Sequence, residues 1–172
     1  MLAFIVDQYP NNIDPGTYRN GVLKPTQRDN APRAHTFLLF PHDFPPEFVF
    51  LASFKGPIVD PQFIFSTYSA NNKMHFGIKV TRFSAEFVFD ESVDGAINIR
   101  RSKFFSHDFQ EKAWYMLGVL VLKNEIRVAV NCEEIGRAYP DHHILKDFDI
   151  FGLMFIGADV EEKEARTFKV RH

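Results

Sequence analysis

The chain has 172 residues, 20 of them phenylalanine, and a formal net charge of −2. This length predicts one domain over residues 1–172, large enough to bury roughly 70% of the surface that its unfolded form exposes. The near-zero charge gives no general attraction to nucleic acid or to anionic membranes, so neither nucleic-acid binding nor membrane insertion is expected.

The first 33 residues form a loop-rich segment of this domain. Met1–Val6 is apolar and predicts an edge strand, and residues 8–16 are dense in turn formers. A short strand is expected at most near Val22–Leu23. The apolar run Ala34–Phe40 follows and is stopped by a proline-rich stretch that ends at Pro46.

Short strands then follow one another closely. Each of these segments has the length of a strand, and glycine, proline, asparagine and aspartate separate them. The predicted strands are Glu47–Lys55, Gln62–Tyr68, Met74–Val80, Ser84–Asp90 and Ala96–Arg101. Such spacing predicts an all-β fold, an antiparallel sandwich or barrel. Phe104–Ala113 is polar and predicted to be irregular.

A β-hairpin is expected at the centre of the fold. Its strands are Trp114–Lys123 and Glu125–Cys132, joined by a polar tip at Asn124. The second strand alternates apolar and polar residues, which indicates one buried and one wet face. The first strand is apolar on both faces and is therefore predicted to be covered on both sides.

The rest of the chain predicts loops and two more strands. Glu133–Gly136 leads into a loop through His143. Phe148–Ile156 reads as a buried strand in which Gly152 marks a bulge or a close backbone approach. An acidic turn at Ala158–Glu164, the best candidate for a short helix, and a last strand at Arg166–Val170 complete the pattern.

Several of these segments, taken in order, resemble thrombospondin N-terminal-like domains of the laminin G-like group. Tyr115 stands where that family usually has histidine, and Asn131 where it usually has aspartate. The resembling segments are Thr36–Lys55, Gln62–Ser66, His75–Lys79, Phe109–Leu117, Val128–Gly136 and Phe148–Gly157.

The resemblance implies a concanavalin A-like jelly roll of two antiparallel sheets packed face to face. It also implies an extracellular, secreted setting within a larger multidomain protein of the matrix or of cell adhesion. Its expected partners are matrix proteins or heparin-like glycosaminoglycans, and it implies no enzymatic activity. The family's cysteine commonly forms a disulfide, but Cys132 is the only cysteine here and has no partner within the chain.

Basic residues supply the candidate binding site. Arg100, Arg101 and Lys103 lie together, and Lys79 and Arg82 flank a nearby strand end. Arginine presents a planar fork that suits sulfate and carboxylate groups, so this cluster predicts an anionic-glycan site. The alternative is an ordinary solvated strand edge, where such charges prevent unwanted pairing.

Two other functions remain open. A glycoside hydrolase needs two nearby carboxylates, but Glu86 and Asp90 would lie roughly 13 Å apart on one strand, beyond the spacings of that chemistry. They are expected to be solvated charges at strand ends. A Ca²⁺-dependent lectin would use aromatic side chains such as Tyr68 or Tyr139.

Metal and nucleophile chemistry finds little support in the sequence. Carboxylates of residues 90–94 and 159–164 offer oxygen ligands for Ca²⁺, without a regular ligand spacing. His142 and His143 are adjacent and point to opposite sides, and His107 stands apart, so no cofactor or resident metal is predicted. Cys132 lacks an activating neighbour in sequence, since two glutamates follow it.

Overall fold

A computed structural model describes residues 18–19, 22–23, 33–55, 61–93, 97–140, 145 and 148–157. For residues 18–19, 22–23, 92–93 and 97–98 it describes the backbone alone. The predicted strands at Met1–Val6 and Arg166–Val170, the acidic turn at Ala158–Glu164 and the pair His142–His143 lie outside these residues.

The described strands form two main antiparallel sheets, which confirms the predicted all-β sandwich. The smaller sheet has four strands in the order β11-β10-β9-β4. Its strands are β4 (Phe48–Lys55), β9 (Trp114–Val121), β10 (Ile126–Val130) and β11 (Glu133–Ala138). The hairpin β9–β10 therefore occupies the two central positions, as predicted.

The larger sheet has six strands in the order β3-β12-β5-β6-β7-β8. They are β3 (Arg33–His35), β5 (Gln62–Tyr68), β6 (Met74–Val80), β7 (Ser84–Val93), β8 (Ile97–Ser106) and β12 (Leu153–Ile156). A separate short hairpin pairs β1 (Tyr18–Arg19) with β2 (Val22–Leu23). The one described helix is the single turn α1 (Thr36–Leu39).

Phenylalanine rings fill the space between the sheets. Phe76 stacks on Phe87 with ring centroids 5.5 Å apart and an interplanar angle of 4°, and it also meets Phe48 at 5.1 Å and Phe65 at 5.6 Å. Offset and tilted contacts of this kind add to the free energy gained by burying the rings. The apolar residues of both sheets thus form one core.

The six-stranded sheet is apolar on its other face as well. Phe63, Tyr68, Met74, Val88 and Phe155 form a second buried cluster there. Gly77 lies beneath it, and a β carbon at that position would come within 2.6 Å of the Phe63 ring. Glycine at this position therefore makes room for the ring.

Three predicted boundaries are wrong because pairing between strands extended or shortened them. β8 continues through Phe104 to Ser106, since its residues pair with β7 as far as Ser84. Residues 133–138, predicted as a turn and loop, form the edge strand β11. Conversely, only Leu153–Ile156 of the predicted strand Phe148–Ile156 is extended.

The segment before β12 is instead a loop that packs against β5 and is hydrogen-bonded to Thr36. Gly152 lies against β5, where a β carbon would come within 1.7 Å of the Tyr68 carbonyl oxygen. The backbone N–H of Thr36 donates to the Gly152 carbonyl at 3.1 Å. The predicted close backbone approach at Gly152 is thereby confirmed, and any larger residue there would displace the β5 backbone.

The outer face of β9 differs from the prediction. Tyr115, Leu117, Val119 and Val121 are buried, as their alternation indicated. On the opposite face, Trp114 is 53% exposed and Met116 is 40% exposed. The prediction that this strand is covered on both sides is therefore wrong for the described chain.

Candidate functional site

The predicted basic residues lie on β6, on β8 and in the turn between β6 and β7, at one edge of the six-stranded sheet. In the β7–β8 register Asp90 lies opposite Arg100 and Phe89 lies opposite Arg101. Because adjacent residues of a strand point to opposite faces, Arg100 and Arg101 face away from each other. Arg101 and Lys103 share one face of β8, and Lys79 lies two strands away on β6.

Two of these cations are held by buried carboxylates. Arg100 Nε donates to Asp90 Oδ1 at 2.9 Å and its Nη2 donates to Oδ2 at 3.3 Å. The Asp90 carboxylate also accepts the backbone N–H of Met74 at 2.8 Å. Lys79 Nζ lies 4.0 Å from Glu86 Oε2. These pairs fasten β6, β7 and β8 together, so Arg100 and Lys79 have a structural role.

The same contacts correct the expectation for Glu86 and Asp90. Their side chains are each only 8% exposed, so they are buried ion-pair partners and not solvated charges. Four residues along β7 separate them, and each already has a cationic partner. This arrangement does not match the paired acid and base of a glycosidase.

Of the remaining predicted cations, Arg82 and Arg101 are exposed and Lys103 is half-buried. Arg101 is 51% exposed at its side chain and donates to Glu91 Oε2 at 2.9 Å. Arg82 lies in the exposed turn between β6 and β7, with its guanidinium 5.1 Å from the Phe83 ring centroid. Among the described residues, neither Arg82 nor Lys103 has a carboxylate within ion-pair distance.

Exposed aromatic rings accompany these cations. Phe83 is 62% exposed and Phe104 is 67% exposed. The turn carrying Arg82 and Phe83 is held against the end of β8, because His107 N–H donates to the Phe83 carbonyl at 3.0 Å. We call Arg82, Phe83, Arg101 and Lys103 the β8 edge surface. Phe104 points to the opposite face of β8 from Arg101 and Lys103, so it is not part of this surface.

The two aromatic residues considered for a lectin site have different surroundings. Tyr68 is 1% exposed and its ring meets Phe155 edge-on at 6.0 Å, so it belongs to the second buried cluster and presents no surface to a sugar. Tyr139 is 65% exposed. No group of three or more potential metal-binding side chains lies within the described ranges.

The isolated histidine and cysteine also have defined places. The His107 ring packs against Phe109 at 4.7 Å and Tyr115 at 5.9 Å. Cys132 is an exposed free thiol at the turn between β10 and β11. Neither of them lies in a cluster of catalytic groups, as judged from the part of the chain that is described.

A charged network on the smaller sheet has no counterpart in the sequence predictions. Arg127 Nη2 donates to Glu125 Oε2 at 2.8 Å, and Arg137 Nε donates to Glu134 Oε1 at 2.6 Å. Arg137 also lies 3.6 Å from Glu125 Oε1. The hydrogen bond from Arg127 is the main cause that lowers the pKa of Glu125. The network is compact and its four charges cancel.

Beside this network lies an apolar surface, the outer face of the four-stranded sheet. The alternation of the first hairpin strand contained the signal for it, because apolar residues occupy both of its faces. The apolar members of this outer face are Val49, Leu51, Trp114, Met116, Gly118, Leu120 and Ala129, and Ser53, Lys55 and Arg127 lie on the same face. Trp114 and Met116 are its most exposed side chains.

No protein-family model matches this sequence, and no curated protein matches it. Solved structures do match. The CBM40 domain of Ruminococcus gnavus IT-sialidase, bound to α2,3 sialyllactose, has a TM-score of 0.50 at 13% identity over 65% of this chain and 63% of its own. A heptameric SAP-like pentraxin from Limulus polyphemus has a TM-score of 0.50 at 15% identity over 67% of this chain and 54% of its own.

Domains LG4-5 of the mouse laminin alpha1 chain match at a TM-score of 0.45 and 14% identity, over 72% of this chain and 30% of theirs. This chain thus spans less than two thirds of the matched chains. The first two matches support the fold, an antiparallel two-sheet sandwich of the jelly-roll kind. No described helix is long and apolar enough to cross a membrane.

Proposed function

We propose that this domain is a non-enzymatic recognition module that binds sulfated glycosaminoglycans through the β8 edge surface. The observation that carries the proposal is the pair Arg82 and Lys103, which have no carboxylate partner among the described residues. Arg101 nearby is half-exposed and pairs with Glu91. Cations that are not already neutralised are the ones free to bind sulfate.

The geometry of the strand suits a linear polyanion. Arg101 and Lys103 lie on one side of β8 and are separated by roughly 7 Å along the strand, and the end of β8 beside Arg82 lies roughly 10 Å beyond Lys103. Charges spaced along an edge match repeated sulfate groups along a chain. The exposed ring of Phe83 adds apolar surface for the sugar backbone.

The surroundings of the carboxylates support a binding function over a hydrolytic one. Glu86 and Asp90 are occupied by Lys79 and Arg100, which removes the free acid and base that glycoside cleavage requires. The solved jelly roll with a bound sialyllactose is a carbohydrate-binding domain, which agrees with this proposal.

The proposal includes the biological context that the family resemblance implies. The domain would be a thrombospondin N-terminal-like member of the laminin G-like group, in an extracellular matrix or adhesion protein. Matrix proteins are a second partner class of such a module.

Heparin affinity chromatography tests the binding site. The double variant Arg82→Ala, Lys103→Ala is expected to elute at lower salt, with affinity reduced about tenfold for two lost charge contacts. The control Lys55→Ala, Lys123→Ala removes the same charge from exposed positions on the other sheet and is expected to elute like wild type. Equal elution of both double variants would overturn the site.

A glycan array with and without Ca²⁺ tests the ligand class. Sulfate-dependent, Ca²⁺-independent binding is expected. Binding of neutral sugars that requires Ca²⁺ would support the lectin alternative instead, and release of new reducing ends from a bound glycan would contradict a non-enzymatic module.

A further inference from the structure

The outer face of the four-stranded sheet is more apolar than a solvent-facing sheet surface usually is. Trp114 and Met116 are exposed, and Val49, Leu51 and Leu120 are half-buried around them. Antiparallel sheets that face water on one side normally alternate apolar and polar residues. Contiguous exposed apolar surface of this kind marks an interaction site.

This face contains both a projection and a low point. Gly118 lies between Leu51 on β4 and Ala129 on β10, so two small residues, Gly118 and Ala129, are side by side in this row. Met116 lies in the next row of the same face along β9, and Trp114 lies in the row after it. The nearest atoms to a β carbon at Gly118 would be Leu51 Cδ2 at 3.4 Å and the Ala129 carbonyl oxygen at 4.0 Å.

We propose that this face is the interface of a symmetric dimer of this chain. A two-fold interface requires one surface that is complementary to itself. If β9 of one copy runs antiparallel across β9 of the other, Met116 of each copy meets Gly118 of the other. The same register brings Trp114 against Leu120. A projection and a low point two residues apart are what such a contact needs.

The charges around the face favour a second copy over a charged partner. Glu125, Arg127, Glu134 and Arg137 neutralise one another within one chain. This network, on the β10–β11 part of the face, therefore does not repel an identical face. Lys55, opposite Trp114 on β4, is an exposed cation of the same face. Aromatic residues, methionine and arginine are also the types enriched in protein interfaces.

The area of the face determines how stable the proposed dimer is expected to be. The four strands lie about 4.8 Å apart and are about 17 to 27 Å long, so the face presents roughly 400 Å² per copy, or about 800 Å² in total. This is below the size of stable specific interfaces, so the dimer is expected to be weak, with a dissociation constant on the order of 100 μM.

Trp114 provides a direct measurement, because it is the only tryptophan of the chain. Its fluorescence is recorded without any glycan as protein concentration rises from about 1 μM to several hundred μM, alongside sedimentation equilibrium. A shift of the emission to shorter wavelength that follows the formation of dimer is expected.

The variant Met116→Glu places a charge from each copy at the two-fold contact and is expected to be monomeric with constant Trp114 emission. Phe104→Glu is the matched control, since Phe104 is 67% exposed on the other sheet, and it is expected to dimerise like wild type. Circular dichroism and the melting midpoint show that both variants are folded.

A wild-type protein that stays monomeric over the whole range overturns the proposal, as does a dimer that Met116→Glu leaves intact. A shift of Trp114 emission caused by a neutral oligosaccharide, with no dependence on protein concentration, would assign the face to a glycan and also overturn it. Heparin binding through the β8 edge surface is independent of each of these outcomes.

Discussion

The backbone N–H of Asp149 donates a hydrogen bond to Nε2 of His75 at 3.0 Å, which defines the neutral form of this imidazole. The His75 ring also stacks on Phe148 at 4.2 Å. The Asp149 carboxylate in turn accepts the N–H groups of Ala70 and Phe151, each at 2.9 Å. His75 thus holds the loop before β12 onto the turn between β5 and β6.

This contact predicts a loss of stability in mild acid. Burial lowers the pKa of His75 to about 4 from 6.5, although the nearby Asp149 carboxylate acts in the opposite direction. The unfolded chain therefore takes up a proton near pH 6.5 while the folded chain does not. The contribution is complete above pH 6.5 and falls by about 3 kcal/mol as the pH drops to about 4. Urea unfolding at several pH values measures it.

The variant His75→Gln keeps an acceptor but does not titrate, so its stability is expected to change less across the same pH window. His42→Gln, at an exposed position, is the matched control and should keep the wild-type pH dependence. The hydrogen bond from the Ala70 N–H is the main cause that lowers the pKa of Asp149 from its ordinary value of 3.8. The stabilisation that this carboxylate provides is therefore lost only as the pH falls below about 3.8. A parallel pH profile for His75→Gln and wild type would contradict this role.

The buried pair Asp90 and Arg100 is expected to stabilise the six-stranded sheet. Asp90→Asn removes the charge that accepts two hydrogen bonds from Arg100, in a site where the carboxylate is 8% exposed, and we expect a loss of about 2 kcal/mol or more in the free energy of unfolding. Denaturant unfolding at pH 7 measures it.

Glu134→Gln is the control for that substitution, because the ion pair of Glu134 with Arg137 is exposed on both sides. Exposed pairs contribute little, so its unfolding midpoint should stay close to that of wild type. If Asp90→Asn were equally mild, the carboxylate would be solvated after all, as the sequence alone suggested.

The turn between β10 and β11 predicts a stabilising substitution. Asn131 and Cys132 have φ angles of 51° and 68°, and Val130 pairs with Glu133 across them, which is a two-residue type I′ turn. Glycine adopts this conformation without strain, so Cys132→Gly is expected to raise the free energy of unfolding by about 1 kcal/mol. Thermal unfolding under reducing conditions measures it.

Two further variants separate the causes. Cys132→Ser removes the thiol but keeps the β carbon, so it should bring no comparable gain. Asn131→Ala should lower stability by about 1 kcal/mol, because Asn131 Oδ1 accepts the Met116 N–H at 2.9 Å. A Cys132→Ser protein as stable as Cys132→Gly would show that the thiol, and not the backbone conformation, is the cause.

Much of the architecture was predictable because it is encoded locally. The alternation at Ile126, Val128 and Val130 requires one buried face, and these residues are buried at the centre of the smaller sheet. Gly152 marked a close backbone approach from its place in an apolar run.

The ion-pair partner of each charged side chain was not predictable from local sequence. Arg100 and Arg101 are neighbours in sequence, but they lie on opposite faces of β8, and only the register with β7 shows that Asp90 and Glu91 are their partners. The edge strand β11 was missed for a similar reason, since its sequence is polar and it is defined by pairing with β10.

By itself, the sequence determined the number and order of most described strands and the central hairpin, because side-chain alternation and turn chemistry act over a few residues. Only the tertiary structure decided which cations are already neutralised by buried carboxylates and which apolar side chains remain on the surface. Those properties depend on contacts between strands far apart in the chain. They determine where this domain is able to bind a partner.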